Sequence, residues 1–234
     1  MRASILVLFW LFLSSCRHVD LLDARPEKAG MDAGVSWHKD LQKNRPHCAG
    51  VLDIRGTDTW SSRVLRWFTP LSENHSPFQL QEAGANSAVN LPGQSPFVLK
   101  DSELSGWDRI YVESLRLYVT LPQAIAAAYN PVYLGEKTLG TETFAAFFFT
   151  LKPGDWNDPS LDQYIAYYPK GSPKLTLVQF TYRDLSRSYV GWLRYGPDKA
   201  FAAFPYPSSV SILDDSDAHE AVHTVEINSM TCLP

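Results

Sequence analysis

Little in this 234-residue chain supports a nucleic-acid partner, a nucleotide cofactor or a serine nucleophile. Lysine and arginine total 21 against 25 aspartates and glutamates, a formal net charge of −4, so the basic face that nucleic acid requires is missing. There is no G-x-S-x-G elbow, no G-x-G-x-x-G loop and no P-loop, and no cofactor is expected. No apolar run is long enough to span a bilayer permanently as a helix. Long charge blocks and low-complexity tracts are also lacking, which leaves the composition of an aromatic-rich globular protein.

What is present begins at the N-terminus. Arg2 and the apolar run from Ala3 to Leu13 read as a signal peptide over residues 1–15. The run ends in Leu13-Ser14-Ser15-Cys16, which resembles the lipobox of bacterial lipoproteins, where small residues admit the peptidase and the thiol is acylated. This implies that Cys16 becomes the lipid-bearing first residue, with palmitate-type chains holding the protein on a membrane outside the cytoplasm. Several chains on one cysteine anchor stably where one does not. An ordinary cleaved signal with an incidental cysteine is the alternative. Arg17, in place of Asp, resembles an outer-membrane address facing the periplasm. Residues 16–34, polar with Pro26 and two glycines, read as a lipidated tether of roughly 20 to 25 Å reach, and residues 35–234 as one domain.

Acylation of Cys16 leaves Cys48 and Cys232, an even number in an oxidising compartment. They form either a disulfide joining the start of the fold to its end or two buried free thiols.

Trp37 to Arg45 reads as a short helix stopped by Pro46, and Trp60 to Thr69 as an imperfect strand. Turn formers crowd residues 72–96, leaving short strands near Phe78 to Leu80 and Ala88 to Leu91. Leu104, Trp107, Tyr111, Leu115 and Tyr118 make one apolar stripe of a helix, with Ser105 and Asp108 resembling a capping box. A second helix is expected from Pro122 to Tyr129.

Strands then follow at near-regular spacing: Val132 to Lys137, Thr143 to Leu151, Leu161 to Tyr168, Lys174 to Tyr182, Tyr189 to Tyr195, Ser209 to Leu213 and Val222 to Ile227. This order predicts an antiparallel α+β domain. Phe144, Ala146 and Phe148 alternate with Ala145, Phe147 and Phe149, so either both faces of the sheet are covered or one lines an apolar cavity.

Tyr133-Leu134-Gly135-Glu136, the strand ending in Phe-Phe-Phe-Thr, Asp162 to Tyr167 and the closing Thr224 to Asn228 together resemble envelope lipoproteins of Bacteroidota. Those are similar in turn to the LolA, LolB and LppX-like half-barrels of the lipoprotein-carrier group. The resemblance spans roughly residues 105–228. It implies a curved antiparallel β-sheet, a half-barrel, wrapped around one or two helices, with an apolar cavity that holds acyl chains.

Of the motifs that carry chemistry, His219-Glu220-Ala221-Val222-His223 matches H-E-x-x-H, which on a helix binds zinc through both histidines. The β-branched flanks read better as a strand, on which His219 and His223 would stand about 13 Å apart at about 3.3 Å per residue. A zinc hydrolase is therefore an alternative only. Asp214 to Asp217 reads as a solvated turn, as does the Asp155 to Asp158 loop. Phe144, Phe147, Phe149, Tyr164, Tyr167, Phe180 and Trp192 fall on expected strands as either plain core or the lining of a lipid cavity, with residues 201–207 as a flap at its rim. The sequence thus points to a non-enzymatic, membrane-anchored protein that holds a lipid or acyl chain. A scaffold lipoprotein with a protein-binding surface is the second reading.

Overall fold

The doubled apolar pattern of residues 144–149 has a direct structural cause. In the computed structural model, which describes residues 19–44, 48–61, 66–100, 104, 106–183 and 189–234, the strands carrying that pattern are packed on both sides. The signal peptide, Cys16, Val64 and Ser105 lie outside the described residues.

Eleven strands form one antiparallel sheet: β1 (Val51–Trp60), β2 (His75–Glu82), β3 (Ala88–Asn90), β4 (Phe97–Val98), β5 (Tyr129–Leu139), β6 (Glu142–Thr150), β7 (Gln163–Pro169), β8 (Leu177–Thr181), β9 (Val190–Tyr195), β12 (Ser209–Leu213) and β13 (His223–Leu233). Between the last two groups a separate two-stranded ribbon joins β10 (Asp198–Ala200) to β11 (Pro205–Pro207). The sheet runs β4-β3-β2-β1-β13-β12-β9-β8-β7-β6-β5 and is not closed into a barrel. Two helices accompany it, α1 (Lys28–Asn44) and α2 (Gly106–Ala124). The architecture is the curved antiparallel α+β half-barrel.

Alternate residues separate two cores. Phe149, Tyr164, Tyr168, Val178, Phe180, Leu193 and Val210 face inward toward Val112, Leu115 and Val119 of α2. Phe144, Phe148, Ile165, Tyr167, Leu177 and Trp192 face outward, where Leu21, Leu22, Met31, Trp156 and Ala221 cover them. Neither face of the central strands is wetted, which is why their sequence shows no polar alternation.

The last strand, β13, lies in the middle of the sheet. It pairs with β1 from Val51 opposite Leu233 to Trp60 opposite His223, with a register shift between Arg55 and Gly56. At the end of this ladder Cys232, opposite Leu52, is joined in a disulfide to Cys48, which precedes β1, with Cα atoms 5.6 Å apart. The covalent closure thus lies at the β1–β13 seam, where two sequence-distant halves meet.

Three elements differ from their sequence expectation. Residues 28–34, expected within the tether, open α1, and Leu21 and Leu22 are packed on the outer face. The glycines that suggested a tether have a packing role: at Gly34 an added Cβ would run into the Pro131 carbonyl, and at Gly30 it would come within 2.7 Å of the Tyr133 carbonyl oxygen. They let α1 lie against the edge strand β5, where Trp37 stacks on Phe147 at 4.1 Å.

The second difference is β1, which the expected strand at Trp60 to Thr69 misplaces. Its inward positions include Gly56 and Asp58, residues depleted in strands, and the space above Gly56 is filled by the Phe78 ring.

Third, the helix does not break before Pro122 but ends at Ala124, followed by a single 3-10 turn at Ile125–Ala127 in place of a second helix. Proline cannot donate to the carbonyl four residues back. That carbonyl, Tyr118 O, accepts from Tyr195 Oη at 3.0 Å, and Val119 O accepts from Tyr206 Oη at 2.6 Å. Two buried tyrosines on the sheet side thereby support the C-terminal end of α2.

The disulfide closes a loop of 184 residues, so its loss relaxes the unfolded chain more than the folded one. Cys48→Ser with Cys232→Ser lowers unfolding stability by about 2–5 kcal/mol. Urea titrations with and without reductant check this, and reductant should shift only the parent protein.

Candidate functional site

At one edge of the sheet, β1 and β12 end while β9 and β13 begin, and the N-terminal end of α2 crosses above them. The helix and sheet diverge here and leave a cavity of about 420 Å³. This falls within the range of roughly 300–1,000 Å³ typical of small-molecule sites. Trp60 comes from β1, Trp107, Ile110 and Tyr118 from α2, Tyr182 and Tyr189 from the ends of β8 and β9, and Ile212 and His223 from β12 and β13. Phe68 and Trp107 form its lip, their rings 5.1 Å apart and each about half exposed.

Behind the wall lies a fully buried carboxylate. Asp58 on β1 accepts from Tyr111 Oη of α2 at 2.7 Å through one oxygen and pairs with His223 Nε2 of β13 through the other. The His223 ring is stacked on Trp60 at 4.1 Å and meets Tyr118 edge-on at 6.4 Å. One carboxylate therefore connects two strands and the helix at the base of the cavity. Burial pushes the Tyr111 hydroxyl well above the usual phenol range, and the Asp58 charge and hydrogen bond add to this, so Tyr111 remains a neutral donor. Farther along α2, Arg116 holds Glu82 of β2 through two hydrogen bonds of 2.5 and 2.7 Å. The helix is pinned over β1 and β2, and the gap opens on the other side, toward β8 and β9.

The arrangement differs from the aromatic lining expected from sequence. Phe144, Tyr167 and Trp192 lie in the outer core, on the far side of the sheet. Phe149, Tyr164 and Phe180 lie in the inner core, and Phe147 is taken up by Trp37. None of the seven lines the cavity, although Phe180 stands behind it against Tyr118 and Tyr189 at 5.8 and 6.1 Å. Nor is the segment 201–207 at this rim: it belongs to the β10–β11 ribbon beneath the C-terminal end of α2, fixed there by Tyr206.

The H-E-x-x-H segment is not a helix. His219 and Glu220 are exposed in the loop before β13, whereas His223 is buried and engaged by Asp58. Among the described residues no group of three or more His, Cys, Asp or Glu side chains is placed to hold a metal. Asp214 to Asp217 forms a turn whose Ser216 and Ala218 carbonyls accept from Arg194 at 2.7 and 3.2 Å. Sequence reasoning missed Asp58 and Trp60, although an isolated acid at an inward strand position is a signal of buried pairing.

No protein-family profile matches the chain, and no curated protein matches it. Solved structures do. The chain is similar to a LolA superfamily protein from Nitrosomonas europaea, with TM-score 0.52 and 10% identity over 86% of this chain and 94% of that one. It also matches a putative outer membrane lipoprotein-sorting protein domain from Vibrio parahaemolyticus, with TM-score 0.49 and 10% identity over 86% and 92% of the two chains. A DUF1329 family protein from Desulfovibrio piger matches with TM-score 0.46 and 10% identity over 89% and 94%. The first of these identifies the fold as LolA-like.

Two outcomes follow from the site. Asp58→Ala leaves Tyr111 and His223 without their shared partner and costs about 3–5 kcal/mol in urea unfolding, while Asp58→Asn, which keeps one acceptor, costs less. The second concerns pH. Tyr111, Tyr118 and Tyr195 all have hydroxyls raised by burial above the usual phenol value. In the unfolded chain they ionise near pH 10 while the folded protein retains their protons. Stability from these groups is therefore present below about pH 10 and falls as pH rises beyond it, by about 1.4 kcal/mol per pH unit for each. Urea midpoints from about pH 8 to about pH 11 should decline steeply at the upper end, and less steeply in Tyr195→Phe.

Proposed function

We propose that this protein is a lipid-anchored component of the bacterial envelope that binds an apolar ligand, a lipid or the acyl part of one, without catalysing a reaction on it. The observation that carries the reading is the cavity between α2 and the sheet, whose walls are mostly aromatic and aliphatic with a few polar groups. The LolA-like half-barrel supports it. The lipobox-like Leu13 to Cys16 supports attachment through acyl chains on Cys16, and Arg17 supports a place on the outer membrane facing the periplasm.

In this reading the apolar walls supply affinity and the polar groups orient the ligand. Burial of apolar ligand surface contributes about 25 cal/mol per Å². Ser114, Tyr189 and Asp214 are among the polar-bearing residues of the lining. The His223–Asp58–Tyr111 group keeps the wall in shape, since each member is already engaged.

Purified protein should release co-purified lipid on solvent extraction and take up a fluorescent fatty acid. Ser114→Trp, which fills the cavity from α2, should reduce that uptake at least about tenfold, equivalent to about 1.4 kcal/mol, with little change in the urea midpoint. Unchanged uptake in Ser114→Trp would place the ligand elsewhere. No uptake by the parent protein would defeat the reading.

A further inference from the structure

The lip of the cavity carries large apolar side chains turned to solvent. Trp67 is 69% exposed, Phe68 48% and Trp107 49%, which makes these three the most exposed aromatic side chains among the described residues. Phe68 and Trp107 touch each other across the opening, and Trp67 precedes Phe68 in the chain without lining the cavity. Scattered exposed apolar residues are ordinary, but three large rings around one opening form a patch.

A second observation says what covers this patch. The described chain begins at the same edge of the sheet. Asp20 is held at 2.9 Å by Arg183, a side chain only 4% exposed and next in sequence to Tyr182 of the cavity wall. Gln163, the first residue of β7, donates to Asp20 at 2.9 Å and accepts from the Leu21 amide at 2.6 Å. Asp20 is therefore held at the same end of the sheet as the cavity, with Leu21 and Leu22 packed on the outer face. Cys16 precedes Asp20 by four residues, so it lies no more than roughly 14 Å from this point, however extended the chain. This is shorter than the reach of a free tether over residues 16–34, because Asp20, Leu21 and Leu22 are fixed on the fold and α1 begins at Lys28.

We propose that the rim bearing Trp67, Phe68 and Trp107 is a membrane-docking surface, held mouth-down on the bilayer by the short lipidated segment before Asp20. This rests on the acylation of Cys16 put forward above. Tryptophan suits the layer between headgroups and acyl chains, where its ring is buried and its indole N–H stays hydrated. The opposite edge of the sheet, with the disulfide and the β10–β11 ribbon, faces away. The cavity then opens onto lipid, and an acyl chain passes between bilayer and protein without crossing water.

The test uses the mature acylated protein in phosphatidylcholine vesicles whose acyl chains carry bromine, which quenches tryptophan at the membrane interface. Expected is strong quenching in the parent protein, most of it lost in Trp67→Tyr/Trp107→Tyr. Absence of quenching in the parent, or equal quenching in the double variant, would overturn the docking surface. Fatty-acid uptake in detergent solution, measured on Trp67→Tyr, should equal that of the parent, because Trp67 does not line the cavity. Loss of uptake in this variant would also count against the assignment, since the residue would then serve the ligand. Because uptake and quenching are read separately, failure of the ligand reading leaves the quenching result standing.

Discussion

A carboxylate with no exposure to water sets the geometry on which the site depends. Asp58 lies in the interior of the sheet, where an uncompensated ion costs several kcal/mol. Its two oxygens are satisfied by groups from two other elements, His223 on the neighbouring strand and Tyr111 on the helix above. The requirement to satisfy that buried group fixes how far along β1 the helix sits and which of its faces points down. With the helix tied there and by Arg116 to Glu82, the remaining space between helix and sheet opens at the side of Tyr182 and Tyr189. A cavity maintained this way does not need a ligand to keep its walls apart, because the polar group at its base holds the spacing.

The long strands after Tyr129, though not the β10–β11 ribbon, were legible in the sequence because they carry runs of β-branched and aromatic residues bounded by turn formers. Gly140, with φ of 57°, is one such turn, closing the β5–β6 hairpin. Of the two alternatives the doubled pattern left open, burial on both faces is the one the fold adopts, while the pairing of β13 with β1 has no local signal. What did not follow was which side each aromatic faces. Where both faces of a strand are apolar, alternation carries no label for inside and outside, so Phe144 and Phe149 look equivalent although the sheet separates them. The cavity was hidden for a related reason: its residues come from strand ends and one helix end, dispersed from Trp60 to His223.

The N-terminal third was least legible because its residues answer to tertiary contacts more than to local preference. Glycine in a helix costs about 1 kcal/mol relative to alanine, yet Gly30 and Gly34 are retained in α1 where backbone approaches backbone. Gly56 in β1 accommodates the Phe78 ring in the same manner. Local propensity read these positions as loop. Packing makes them helix and strand. His223 shows the converse, where a motif suggested a metal ligand and the β-branched residues around it correctly gave a strand instead.

The position of β13 in the sheet has a consequence for the order in which the molecule is assembled. β1 lies between β2 and β13, so the first four strands cannot join the rest until the final residues of the chain are available. Contacts this distant in sequence form slowly, since loop closure must precede any gain from pairing. A chain emerging N-terminus first therefore leaves that edge of β1 unpaired until β13 has been made. The sheet behaves as a clasp that β13 closes, and the Cys48–Cys232 bond locks it afterwards.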